Sequence, residues 1–241
     1  MLSGNRLFFG LVSGPNSSMA PHRLLIVGHS IARDVQQYTH NHNIDNFNLN
    51  HNQINVAFCA QGGIVTDNLL NGENNVGRKA WFAGQVSRTI RRFRPETVLL
   101  QIGDNDMLSG SAQDIAQNIV STAHRMRTLF PFIRKVGISK LLPRYGSATN
   151  IRRVVIGRGF VVEDYNEKSN EINLLIAIHT ARDNALFWWD HKLQFPADDE
   201  NAKRYNENAV HFRRDGVHLT DSGLKKLYLA MRHIAIRQSR Q

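Results

Sequence analysis

Four short stretches of this chain pair polar side chains suited to acyl transfer with glycines that let backbone approach a reacting atom. Gly28-His29-Ser30 closes an apolar run and precedes a helical pattern starting near Ile31. A serine on such a turn has an exposed hydroxyl, and its N–H lies among the unpaired donors of a helix N-terminus, where it can face a developing anion. Taken alone, a serine there is equally an ordinary N-cap. Gln61-Gly62-Gly63-Ile64-Val65-Thr66 follows a second run. Paired glycines can expose N–H groups to a ligand, and they also make plain turns. Gly103-Asp104-Asn105-Asp106 cuts off a third run, and the Asn105 amide is a neutral donor that could reach the same centre. Asp and Asn are common turn residues too.

The fourth stretch, Asp215-Gly216-Val217-His218, sets a carboxylate three residues before an imidazole. A carboxylate at that distance can accept from one ring nitrogen and aim the other at a hydroxyl. No other acidic residue of the chain is followed by His at that interval. The rival bases are His191 and His211. Asp190 adjoins His191, but adjacent residues on a strand point to opposite faces.

The elements that must position these groups read as an α/β alternation. Short, mostly continuous apolar runs at Leu24–Val27, Ile54–Ala60, Val98–Ile102, Lys135–Ser139 and Ala185–Trp189 have the character of strands buried on both faces. Helical patterns fall between them at Ile31–Thr39, Ala80–Phe93, Ala112–Leu129 and Asn166–Arg182. A last one follows Thr220, with Leu224, Leu227, Tyr228, Met231 and Ile234 at helical spacing. This rhythm predicts a three-layer, flavodoxin-like domain around a central five-stranded parallel sheet. In the common strand order 2-1-3-4-5 the first three strands are neighbours, so Ser30, Gly63 and Asn105 share one rim, where ligands of such sheets bind.

With 241 residues, and a prior of about 150 per domain, the chain has room for one or two domains. No linker, repeat or charge block divides it, so residues 22–241 are expected to form one domain behind a flexible extension over 1–21. No run of eighteen apolar residues is present, so no transmembrane helix is expected. Cys59, the lone cysteine, reads as a buried strand residue. It excludes an intramolecular disulfide and fits a reducing compartment, so an intracellular location, cytoplasmic or nuclear, is expected over secretion.

The net charge of +10 raises the prospect of an anionic partner. Its densest stretch, Arg88, Arg91, Arg92 and Arg94, also fits a solvated helix terminus. Without a base-reading module, any polyanion binding should be weak. The Asn- and His-rich segment 40–53 superficially invites a metal, yet no carboxylate or thiolate set completes a site, and a solvated loop is expected. A second loop, Pro143 to Gly159, carries Arg144, Arg152, Arg153 and Arg158 and is expected to border the pocket.

Together Gly28-His29-Ser30, Gly63, Gly103-Asp104-Asn105-Asp106 and Asp215-Gly216-Val217-His218-Leu219-Thr220 resemble, in order, the four blocks of the SGNH, or GDSL, hydrolase superfamily. The resemblance spans roughly Arg23 to Ile236. It implies a serine hydrolase of ester bonds, of esterase, lipase, thioesterase or carbohydrate-deacetylase type, working through an acyl-serine intermediate with neither metal nor organic cofactor. By the same resemblance Ser30 is nucleophile and first oxyanion donor, Gly63 (over its neighbour Gly62) and Asn105 are the other donors, and Asp215 and His218 complete the triad. One departure is His29, where the family usually has Asp. The alternative function is a catalytically weak or inactive binding or accessory protein on the same fold. Similar domains occur in retroelement-encoded polyproteins, where nucleic acid is near.

Overall fold

In the computed structural model the described residues are 20–66, 82–108, 110–144, 155–156, 160–191, 211–213 and 215–240. Residues 1–19 of the expected extension lie outside them. Five strands form one parallel sheet: β1 (His22–Gly28), β2 (Ile54–Ala60), β3 (Thr97–Gln101), β4 (Lys135–Ser139) and β5 (Leu186–Trp189). Their order is β2-β1-β3-β4-β5, as the alternating pattern predicts. All pairings are parallel.

Period-2 alternation divides each strand between two cores. Leu24, Ile26 and Leu99 face α1 (Ser30–Asn41) and the closing helix α5 (Asp221–Ser239). Leu25, Val27, Val98 and Leu100 face α2 (Ser87–Phe93), α3 (Ala112–Leu129) and α4 (Val162–Ala181). Because both faces are covered, Leu24 to Val27 are wholly buried, which is why the run reads as continuously apolar. Among the described residues no helix is long and apolar enough to cross a membrane.

Helix ends depart from the sequence pattern where local chemistry outweighs periodicity. Helix α4 starts at Val162, four residues before the expected Asn166, since Glu163 and Asp164 in its first turn favour the positive end of the helix dipole. Helix α2 is shorter than expected and follows a π-turn at Phe82–Val86; Ala80 lies outside the described residues. Helix α5 agrees with its pattern: Thr220 caps it by accepting from Gly223 N–H, and all five periodic residues are buried.

The segment 40–53 is more than a solvated loop. Asn46 and Phe47 are buried, both with positive φ. The Asn46 amide donates to Ile54 O at 2.7 Å, and its oxygen accepts from Val56 N–H at 2.7 Å. A side chain thereby covers the exposed ladder of β2, the edge strand. Phe47 packs edge-on against Phe58 and Tyr228. His51, between Asp45 and Asn55, stays at the surface.

All four arginines of the dense basic stretch are exposed: Arg88 lies in the first turn of α2, Arg91 and Arg92 in its last, and the C-cap Arg94 lies 4.5 Å over the Phe132 ring. Cys59 is buried, and burial pushes its thiol pKa up, which agrees with a packing role.

Candidate active site

The β1–β3 pairing sets Gly28 opposite Gln101, so the turns that follow these strands emerge side by side. Gly28 must be glycine because an added Cβ would sit 2.6 Å from Ala32 Cβ and 2.8 Å from Gln101 O. Helix α1 then begins at Ser30, and its N-cap is His29, not the serine. His29 Nδ1 accepts from Ile31 N–H at 3.4 Å, so its Nε2 carries the proton donated to Asp104 Oδ2 at 2.6 Å. Ser30 is thereby freed from capping, at the first helical position and half-buried.

Asp104 is the hub of a buried polar cluster. Oδ1 accepts from the Tyr165 hydroxyl at 2.8 Å and from Arg144 Nη2 at 3.2 Å, and Gln101 Nε2 lies 3.4 Å from Oδ2. Burial alone would raise this carboxyl's pKa. The His29 ring and the Arg144 guanidinium outweigh burial and, with the hydrogen bonds from His29 and Tyr165, hold it well below the usual carboxylate range. Burial and the Asp104 charge push the Tyr165 phenol well above its ordinary value, so it remains a donor.

The next two residues of that loop bind the glycine loop. Asn105 Nδ2 donates to Ile64 O at 2.9 Å, which leaves its second amide hydrogen for another acceptor. Asp106 Oδ1 accepts from Thr66 N–H at 2.8 Å and Thr66 Oγ1 at 2.7 Å. Just before these ties Gly63 takes a left-handed φ of 74°, a conformation that glycine adopts without strain. Gly62 does not share it; an added Cβ there would meet only the Arg33 guanidinium at 2.9 Å.

Burial raises the Asp106 carboxyl to about 6 against the opposing Thr66 bonds. The folded state thus keeps this proton to about pH 6 whereas the unfolded chain releases it near 4. This group therefore lowers stability as pH rises from about 4 to 6, by at most roughly 2–3 kcal/mol, and keeps it lowered above. Asp106→Asn retains an oxygen for Thr66 and removes the titration. Its stability relative to wild type should climb by about 1–3 kcal/mol over that interval, measured by denaturant melts at pH 4, 5, 6 and 7. A difference that stays flat would deny the shift.

Asp215 and His218 lie on a tight turn before α5. Arg213 N–H donates to His218 O at 2.7 Å, Thr220 N–H to His211 O at 3.0 Å, and Gly216 at its tip has φ 65°. Asp215 Oδ1 accepts from Val217 and His218 N–H, both at 2.9 Å, and Oδ2 lies 2.7 Å from His218 Nδ1. Burial opposes the Asp215 charge, but these bonds and the His218 ring draw its pKa down. A carboxylate can only accept, so Nδ1 holds a proton, and in the neutral ring the lone pair is then on Nε2. Among the described residues no hydrogen bond joins Ser30 Oγ to His218. They are linked instead through His29, Asp104 and Arg144, whose Nη1 donates to Val217 O at 2.5 Å.

The rival imidazoles are otherwise engaged. Burial and the nearby Lys140 push His191 down to about 4, so it is a neutral ring, edge-on to Trp189. His211 lies 3.0 Å from the Ser222 hydroxyl.

Comparison with solved structures shows what this architecture resembles. A Bacteroides fragilis protein assigned as an acylhydrolase superposes with a TM-score of 0.62 at 15% identity over 92% of each chain. A Streptococcus pneumonia protein assigned as a platelet activating factor gives 0.56 at 16% identity, over 91% of this chain and 86% of that one. A catalytic mutant of an acetylxylan esterase from Geobacillus stearothermophilus gives 0.53 at 12% identity, over 90% and 94%. The chain has an α/β fold like that of SGNH hydrolases. No family model matches the sequence, and neither does any curated protein.

Within this fold, sequence reasoning missed Arg144 and Tyr165 as members of the buried cluster. Arg144 was expected only to border the pocket; Arg152, Arg153 and Arg158 of the same loop lie outside the described residues. One signal was available: His29 and Asp104 follow adjacent strands, so an unusual base in one turn faces an acid in the next.

Proposed function

We propose that this chain is a serine hydrolase of carboxylic esters. Ser30 Oγ attacks the ester carbonyl, His218 Nε2 takes its proton, and Asp215 holds the imidazole in the tautomer that permits this. The oxyanion accepts from Ser30 N–H, Gly63 N–H and the second Asn105 amide hydrogen. His218 then protonates the leaving alkoxide and, as base again, activates the water that releases the acid from the acyl-serine. The observation that carries this reading is the continuous hydrogen-bonded link between the Ser30 turn and the Asp215–His218 turn, through His29, Asp104 and Arg144. Catalytic hydrogen bonds in unliganded enzymes are often long and tighten on substrate binding, so the missing Ser30–His218 bond agrees with it.

The test is labelling of the folded chain by a fluorophosphonate probe, followed by peptide mapping. Labelling confined to Ser30 is the expected outcome. A folded protein that takes no label, or takes it elsewhere, would sink the proposal and favour a binding role.

Asn105→Ala separates an oxyanion donor from a turn residue. An amide bond that strengthens as charge develops on the carbonyl oxygen acts mainly on kcat, and losing one such donor lowers it by about 10²–10³-fold. The same change removes the tie to Ile64 O, so melting curves must accompany the kinetics. Near-normal kcat with a lowered Tm would remove Asn105 from the reaction.

A further inference from the structure

Arg144 has no part in the reaction written above, yet it is placed between its two halves. Its side chain is 6% exposed, and its guanidinium carbon lies 5.1 Å from the Tyr165 ring centre. Its backbone is clamped to α4: Arg144 N–H donates to Asn166 Oδ1 at 2.8 Å, and Asn166 Nδ2 returns a bond to Arg144 O at 3.0 Å. From this fixed base the planar fork reaches acceptors on two separate loops, Asp104 Oδ1 and Val217 O. A lysine ammonium is a point donor on a flexible stem and cannot present that geometry.

The turn it touches is well made internally, and Val217 with the flanking Phe212 and Leu219 packs it on the core, a non-directional contact that does not aim the His218 ring. Its backbone and Asp215 bonds fix its own shape, not its distance from the sheet rim. The Asp215 and His218 side chains are 47% and 30% exposed, so packing holds them little. Among the described residues, no other hydrogen bond reaches residues 215–218 from outside the turn. The acceptor, Val217 O, belongs to the peptide that leads into His218.

We propose that Arg144 is a positioning residue for His218, its guanidinium tying the Asp215–His218 turn to the Asp104 carboxylate behind the Ser30 turn. The catalytic half of this inference rests on the reading of Ser30 and His218 as nucleophile and base. The anchoring half does not, and the experiment separates them.

Full-length wild type, Arg144→Ala and Arg144→Lys are compared by p-nitrophenyl acetate kinetics, with and without millimolar guanidinium, and by deuterium uptake over residues 211–220. A misplacement of about 1 Å can lower turnover roughly 10²-fold. Arg144→Ala should lose about that in kcat with KM little changed, and guanidinium entering the vacated space should restore part of it. Arg144→Lys, which still fills the space and pairs with Asp104, should fold and lose at least about tenfold. In both variants uptake across 211–220 should rise about tenfold, the equivalent of one charge-assisted hydrogen bond, while β1 and β3 peptides stay unchanged.

Wild-type kcat in a folded Arg144→Lys chain overturns the proposal. So does a loss in Arg144→Ala that tracks the unfolded fraction and ignores guanidinium, or unchanged uptake over 211–220. If wild type neither turns over ester nor takes the phosphonate label, the hydrolase reading fails and the catalytic role of Arg144 falls with it. Uptake alone then decides the anchor.

Discussion

Ser30→Ala is expected to lower ester turnover by about 10⁴-fold or more while leaving the melting temperature nearly unchanged. Removing a nucleophile eliminates the acyl-enzyme route and leaves only what bound donors can do for attack by water. The unchanged stability follows from where the serine sits. His29 supplies the cap of α1, and alanine is at least as good as serine at a first helical position. His218→Ala should cause a similar loss, and the double substitution should be little worse than either alone, because nucleophile and base act as a unit. The measurement is kcat on p-nitrophenyl acetate with thermal melts of the same preparations. A drop in Tm with turnover retained would return Ser30 to an ordinary helix-end residue.

Asp104→Asn should produce the largest change in stability. The carboxylate is fully buried and holds four donors, His29 Nε2, Tyr165 Oη, Arg144 Nη2 and, at 3.4 Å, Gln101 Nε2. An amide of the same shape turns an N–H toward one of these donors and leaves the Arg144 charge buried without its counter-ion. Removing one partner of such a pair costs about 3–5 kcal/mol, or roughly 6–20 °C in Tm for a chain of this size. The sign with pH is fixed by the lowered folded-state pKa. The contribution of Asp104 is complete above the ordinary aspartate range and disappears as pH falls below it. The gap between wild type and variant should therefore be widest near neutral pH and shrink toward pH 3. Melts at pH 3, 5 and 7 test this. A gap under about 1 kcal/mol, or one indifferent to pH, would mean that the cluster is not ionic as described.

The sequence by itself determined the layer order. Continuous apolar runs alternating with amphipathic stretches leave few topologies, because parallel strands need long crossovers and both sheet faces must be covered. The strand order, the burial of Cys59, the Thr220 cap and the five buried residues of α5 were legible for that reason. The candidate residues Ser30, Gly63, Asn105, Asp215 and His218 could also be singled out from sequence as a proposal, since each lies in a short local pattern.

Only the tertiary structure decided how those patterns are joined. That His29 caps α1 and also bonds Asp104, 75 residues away, depends on the pairing of Gly28 with Gln101. That Arg144 reaches Val217, 73 residues on, depends on α4 clamping its backbone through Asn166. The Asn46 and Phe47 turn, which looked merely polar, is fixed by an unpaired strand edge and by aromatic contacts with Phe58 on β2 and Tyr228 on α5. Helix and strand periods are written in neighbouring residues and can be read along the chain. A buried charge network instead owes its existence to low dielectric and to partners from distant segments, so no local stretch of sequence carries it.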